Sequence, residues 1–317
     1  MDLKQPVRSG ASPIEALRTP DERFSGLPAF EFTPHYIDDL AGFEGLRVHY
    51  LDERPAETSG RTVLCLHGQP TWCFLYRKMI PVFLAAGHRV VAPDLFGFGR
   101  SDKPVQDEVY TFDFHRTMLM RLFDALDLRR VTLVVQDWGG VLGLTLPMAY
   151  PDRIDRLVVM NTGLGIGRSP GPGFDAWKEF VAANPDFDVA RLMKRSVAGL
   201  SDAEAAAYAA PFPDARYRAG ARRFPALVPV TPDMPGVEVS REAARFLRER
   251  WDGQAFMAIG MRDPVLGPPV MRMLAKTIRG CSAPMELPDA GHFVQESGRE
   301  IAVRALAYFG DATSGGA

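Results

Sequence analysis

The stretch VVQDWGG, Val134–Gly140, decides how this chain is read. The run VTLVV (Val131–Val135) leads into it, too short for a stable helix and well suited to a strand buried on both faces. It breaks at Gly139-Gly140, with a carboxylate, Asp137, at the apex and an indole, Trp138, directly behind it. Sharp strand–turn–helix elbows of this kind lift the apex side chain above a sheet, and many carry a serine there. Here the apex is an acid.

Outward from the elbow, short apolar strands alternate with helical patterns. RTVLCLHG (Arg61–Gly68) and HRVVAPD (His88–Asp94) read as buried strands, and a helix is expected through LYRKMIPVFLAAG (Leu75–Gly87) between them. TFDFHRTMLMRLFDALDL (Thr111–Leu128) has helical spacing, LGLTLPMAYP (Leu142–Pro151) is expected to continue as a helix, and RIDRLVVMN (Arg153–Asn161) is a further strand. The pattern predicts a mostly parallel, doubly wound sheet with helices on both faces. After Asn161 the rhythm breaks into GLGIGRSPGPGF and then FDAWKEFVAA, VARLMKRSVAGL and SDAEAAAYAA, all helical in pattern. It resumes at QAFMAIGMRDP (Gln254–Pro264) and PMELPDAGHF (Pro284–Phe293), the latter a strand expected to end near His292. The expected organisation is core over 1–163, helical cap over 164–232 and core again over 233–317, with loose ends through about residue 25 and in the tail DATSGGA.

Composition excludes several classes of function. With 37 Lys and Arg against 39 Asp and Glu, no basic field invites nucleic acid or an anionic membrane. Three cysteines, Cys65, Cys73 and Cys281, give neither a disulfide framework nor metal-ligand spacing. No run of apolar residues is long enough to span a bilayer, and the N-terminal MDLKQPVRSGASP has no apolar signal core. A cytoplasmic protein is the default expectation, and a monomer the default assembly. The Gly-rich FGFGRSDKP (Phe96–Pro104) lacks the spacing of a phosphate cradle and reads as a structural bend.

In an open parallel sheet, ligands bind beyond the carboxyl ends of the strands. Asp137, Asp263 and His292 each follow a strand, in the order nucleophile, acid, histidine. His67-Gly68-Gln69-Pro70 also follows a strand, where the backbone N–H of Gln69 and that of Trp138 would form an oxyanion hole. Asp137 alone reads as a turn former or helix cap, and Asp263-Pro264 as an ordinary turn; the set in this order is what carries meaning. A carboxylate attacking an acyl carbon would form an anhydride more reactive than its substrate. Attack on an sp³ carbon bearing a leaving group instead gives an alkyl ester that an activated water can cleave. The elbow therefore points to carbon–halogen bonds or epoxides. His292 would activate the water and Asp263 would orient and stabilise the imidazolium.

These residues resemble the haloalkane dehalogenases of the α/β-hydrolase superfamily. The likeness runs through CLHGQPTW, APDLFGFGRSDKPV, YTFDFHR, VTLVVQDWGG, GFDAWKEF, SDAEAAAYAAPFPDARY, RRFPALVP, GMRDPVLGP and DAGHFVQE. It implies an α/β-hydrolase fold with a helical cap, and hydrolysis of haloalkanes to an alcohol and halide through a covalent ester on Asp137. It also implies a halide held by two indole N–H groups, those of Trp138 and of Trp177 in the cap. The branch with a cap tryptophan carries its triad acid where Asp263 stands, and Asn161 occupies the other branch's position. The same resemblance places Phe174, Phe224, Pro225, Val228, Val265, Leu266 and Val141 on an apolar substrate pocket. No cofactor or metal is implied; the partners are a small halogenated alkane, water and halide. Val135, Gln69, Val141 and the short loop GLGIGRSPGPG depart from the family pattern, the last two pointing to a pocket of altered size. The same triad would serve an epoxide hydrolase, with Tyr208 and Tyr217 of the cap as acids, and a non-catalytic ligand receptor on this fold is the alternative of another class.

Overall fold

The computed structural model describes residues 14–311. Eight strands form one sheet: β1 (Pro34–Ile37), β2 (Val48–Glu53), β3 (Thr62–Leu66), β4 (Arg89–Pro93), β5 (Val131–Gln136), β6 (Ile154–Met160), β7 (Gln254–Gly260) and β8 (Met285–Leu287). Their spatial order is β1-β2-β4-β3-β5-β6-β7-β8. The β1/β2 and β2/β4 pairs are antiparallel and every other pair is parallel. All six residues of β5 are buried, Thr132 and Gln136 among them, which is why its other four side chains are apolar on both faces rather than alternating.

The helices are α1 (Ile80–Ala85), α2 (Phe112–Ala125), α3 (Trp138–Gly143), α4 (Leu146–Ala149), α5 (Pro172–Ala183), α6 (Val189–Ser196), α7 (Asp202–Ala209), α8 (Ala219–Leu227), α9 (Val237–Glu249), α10 (Pro268–Thr277) and α11 (Gly298–Phe309). Between β6 and β7 the described chain forms helices and no strand. Local chemistry sets their starts. Thr111 caps α2 by accepting from Phe114 N–H, Asp188 caps α6, and Ser201 with Glu204 forms a reciprocal capping box on α7.

Two expected helices are broken by proline. In place of one helix over Leu75–Gly87, a 3-10 turn at Cys73–Tyr76 precedes α1, because the ring of Pro81 would meet the carbonyl of Arg77 in a continuous helix. Pro147 stands in the same relation to Gly143 and divides Leu142–Pro151 between α3 and α4. The N-terminal segment is also better anchored than expected. Ala16–Leu17 pairs with Lys103–Pro104, Arg18 makes a two-pronged bond to Asp102, and Phe24 packs edge-on against Trp72. Residues 1–13 and 312–317, the rest of that expectation, lie outside the described residues.

The Phe96–Pro104 loop is a bend, as expected. Asp94 organises it from inside, accepting from Arg100 N–H at 2.8 Å, Cys73 N–H at 2.8 Å and His49 Nδ1 at 2.7 Å. Gly99, at φ +50°, packs so closely on this carboxylate that a Cβ would collide with it. Among the described residues no helix is long and apolar enough to cross a membrane.

Candidate active site

Asp137 follows β5 directly and sits at φ 50°, ψ −126°, a conformation that L-residues other than Gly rarely adopt. The elbow is held by Asp137 N–H donating to Asn161 O at 3.0 Å and by Thr162 Oγ1 donating to Asp137 O at 2.7 Å. Glycines make room for it: a Cβ on Gly68 would strike the Asp137 carboxylate, one on Gly139 the Leu66 carbonyl, and one on Gly140 the Thr162 side chain.

The two carboxylate oxygens of Asp137 have different surroundings. Oδ1 accepts the backbone N–H of Gln69 at 2.8 Å, while Oδ2 lies 3.5 Å from His292 Nε2. Trp138 opens α3, and its backbone N–H has no acceptor among the described residues. The Gln69 loop is itself fastened. His67 bonds Gly68 O at 2.8 Å through Nδ1 and Leu95 N–H at 3.0 Å through Nε2, which assigns the proton to Nδ1. The Gln69 side chain donates to Ala221 O of α8 at 2.7 Å. That carbonyl is available because the residue four further on is Pro225, which has no N–H.

Asp263 lies three residues beyond β7 and is buried. Its Oδ2 accepts from His292 Nδ1 and from Asn161 Nδ2, both at 2.8 Å, and its Oδ1 accepts Val265 N–H at 2.8 Å. Burial works against its charge, but the His292 charge and these hydrogen bonds prevail and hold its carboxyl below the usual range. His292 lies five residues beyond β8, in the following loop rather than at the strand's end. Burial would lower its pKa; the Asp263 charge, hydrogen bonds to Asp137 and Asp263, and the Asp137 charge outweigh that and raise it to about 10. Gln136 Nε2 donates to His292 O at 3.1 Å and lies 3.1 Å from His292 Nε2, a support that no motif announced. Asn161 is the other residue whose part was not legible: its side chain also bonds both Gly260 N–H and Gly260 O, locking the end of β7 beneath Asp263.

A cavity of about 590 Å³ opens over this group. Gln69, Asp137, Trp138, Trp177 and His292 border it, as do the expected Phe174, Pro225, Val228, Val265, Leu266 and Val141. Leu164, Phe180, Leu192 and Phe293 join them. Phe224 does not. It is fully buried behind the wall, 4.8 Å from the Trp138 ring and 4.7 Å from Phe98, because on α8 it faces the core while its neighbour Pro225 faces the cavity. Trp138 is 2% exposed, and Trp177 stacks on Phe180 at 5.7 Å. Neither indole N–H has a protein acceptor among the described residues, whereas that of Trp72 donates to Ala207 O. Tyr208 and Tyr217 do not border the cavity; Tyr208 is buried with its hydroxyl committed to Glu296 and Arg77.

The sheet order, the elbow and the acid–histidine pair define an α/β hydrolase whose apex residue is a carboxylate, and a family model of the alpha/beta hydrolase fold matches residues 61–298. The relatives narrow this. The haloalkane dehalogenase of Psychrobacter cryohalolentis is 45% identical over 302 residues, covering 93% of this chain and 98% of that protein. Haloalkane dehalogenase 1 of Mycobacterium tuberculosis is 45% identical over 304 residues, covering 93% and 99%. The tetrameric structure of a haloalkane dehalogenase from Paraglaciecola agarilytica superimposes with a TM-score of 0.90 at 51% identity, covering 93% of this chain and 98% of that one. The chain belongs to the haloalkane dehalogenases, hydrolases that act on carbon–halide bonds.

Proposed function

We propose that Asp137 attacks the halogen-bearing carbon of a haloalkane, and that the observation carrying this is the division of its carboxylate. Asp137 borders the cavity, its Oδ1 is tied to Gln69 N–H, and its Oδ2 is left 3.5 Å from His292 Nε2. Oδ2 is then the attacking atom. The C–halogen bond breaks as the C–O bond forms, and the halide leaves with the electron pair. The indole N–H groups of Trp138 and Trp177, both on the cavity wall and free of protein acceptors, would take the charge developing on the halogen. An indole serves because it donates and does not ionise.

Alkylation changes the task of the histidine. While Asp137 is ionised, His292 is flanked by two carboxylates and is held as an imidazolium. Esterification removes one of those charges, lowers the histidine's pKa and frees Nε2 to take a proton from water. That water attacks the ester carbonyl carbon, and the oxyanion forms on Oδ1, already on Gln69 N–H, with the N–H of Trp138, unused in the resting protein, as its second donor. The alcohol leaves with an oxygen from Asp137, water replaces it, and one proton and one halide are released.

The epoxide hydrolase reading needs an acid aimed at the ring oxygen, and the two cap tyrosines considered for it do not border the cavity. The three cysteines are unpaired, which suits a reducing compartment, and we read the protein as cytoplasmic. The expectation of a monomer is weakened by the tetrameric neighbour, and light scattering at assay concentration decides it. The test of function is bromide release from 1,2-dibromoethane and 1-bromobutane, with styrene oxide in parallel. Release that vanishes in Asp137→Ala supports the scheme; retained turnover in that variant refutes it.

A further inference from the structure

The opening of the cavity is not built for a purely apolar guest. Apart from Asp137 and His292, every charged side chain on its border is an arginine: Arg168, Arg195 and Arg262. They come from three separate segments, the loop between β6 and α5, the last turn of α6, and the loop after β7. All three are exposed, which places them at the mouth. Arg262 is neutralised by Asp289 at 2.5 Å. Arg168 and Arg195 have no carboxylate within 4.0 Å among the described residues. The Arg168 guanidinium rests instead on the Met273 sulfur, and that of Arg195 lies 5.9 Å from the ring centroid of Phe180. Phe180 is itself on the cavity wall, stacked on Trp177.

The sign of the surroundings reverses close by. Gly291 and Phe293 also border a second cavity, of about 480 Å³, whose charged residues are Glu204, Glu286, Asp289, Glu296, Glu300 and a single cation, Lys78. Among the described residues four of those five carboxylates are ion-paired and Glu300 is not, so the second cavity offers an anion no attraction, whereas Arg168 and Arg195 on the first have no carboxylate partner. A bare haloalkane gains nothing from either field.

We propose that the mouth selects haloalkanes with a carboxylate at the far end, ω-haloalkanoates, the halogen-bearing carbon lying at Asp137 and the carboxylate held by Arg168 and Arg195. A guanidinium offers paired N–H donors that match a carboxylate, and the apolar lining of the cavity, with Phe174, Leu192, Val228 and Val265, suits the methylene chain. The inference rests on the dehalogenase reading above. The reaction balances without a further reagent: bromoalkanoate and water give hydroxyalkanoate, bromide and a proton, the C–Br pair leaving with bromide.

The experiment measures kcat/KM by bromide release for 6-bromohexanoate, its neutral isostere 6-bromohexanamide and 1-bromohexane, in the wild type and in Arg168→Gln/Arg195→Gln. The acid-to-amide ratio cancels losses common to both substrates. It is expected to fall about fivefold in the double variant at low ionic strength, the scale of two exposed ion pairs, and to fall similarly for the wild type in ~0.5 M salt. A ratio unmoved by both perturbations, with 1-bromohexane still consumed, overturns this inference alone. Relief of bromide inhibition in the variant, with the ratio unmoved, assigns the arginines to the halide product and also overturns it. No bromide from any substrate sinks the dehalogenase reading and the inference with it. If the double variant does not fold, the salt dependence of the wild-type ratio decides, and a flat ratio counts against the proposal.

Discussion

Replacing Asp137 with Asn imitates the charge change of alkylation without a substrate, and the effect on His292 follows from the structure. The carboxylate Oδ2 lies 3.5 Å from His292 Nε2, and the two side chains are only 16% and 13% exposed. A unit charge at that distance, in an effective dielectric of about 20, favours the imidazolium by at most about 5 kcal/mol. Residual solvent and relaxation of the site reduce this, and removal of one carboxylate neighbour is expected to lower the midpoint by roughly 1–3 pH units. The wild-type value is raised to about 10; the Asp137→Asn value should therefore come to roughly 7–9, where a useful fraction of imidazole is unprotonated at neutral pH. The assay is NMR titration of protein labelled at histidine Cε1, with His292→Gln assigning the signal and mass spectrometry confirming that Asn is retained. Burial lowers the pKa of four of the other histidines, His49, His67, His88 and His115, so an alkaline transition stands apart from them. Stability gives a second readout. A native pKa above the unfolded value of about 6.5 stabilises fully below that pH, and the contribution fades as pH rises through the native midpoint. In the variant it should fade at lower pH than in the wild type. Equal midpoints in the two proteins would refute the account of how the base is switched on.

Three further outcomes are expected. His292→Gln should still be alkylated, because the first step needs no base, and with 1-bromobutane it should accumulate a butyl adduct visible by mass, its hydrolysis slowed about 10²–10⁴-fold; burst-free, adduct-free protein that still releases bromide would contradict the two-step scheme. Trp177→Phe keeps an aromatic against Phe180 but removes one N–H, and bromide binding followed by Trp fluorescence quenching should weaken about 10- to 100-fold, the worth of one charge-assisted hydrogen bond; unchanged affinity would leave Trp177 as packing only. Arg77 is 1% exposed and joins Glu296 to Glu204 on α7, so Arg77→Ala should cost roughly 1–3 kcal/mol by removing two charge-assisted hydrogen bonds from a largely buried Glu296 that keeps only Lys78 and Tyr208. Chemical denaturation measures it, and a loss under about 0.5 kcal/mol would show that the pair is solvated rather than structural.

Much of this protein was legible in its order of residues, for reasons of local chemistry. Buried parallel strands need apolar side chains on both faces, so Val131–Gln136 and its neighbours declared themselves, and the turns after them marked Asp137 and Asp263 without reference to distance in space. Prolines were visible, yet their effect was not: whether Pro81 and Pro147 begin a helix or interrupt one depends on which carbonyl stands four residues before, and only the folded chain shows the break. The supports of the site were decided by tertiary structure alone. Asn161 reaches Asp263 from a different strand, Gln136 bonds the carbonyl of a histidine 156 residues away, and Gln69 donates to a carbonyl of α8. Adjacent residues also part company there, Phe224 entering the core while Pro225 meets the cavity, since a helix turns neighbours about 100° apart and only packing says which face is inward. The three arginines at the mouth carry the same lesson. Each is an unremarkable surface residue in sequence, and only the folded chain brings Arg168, Arg195 and the Asp289-paired Arg262 from three separate segments to the border of one cavity.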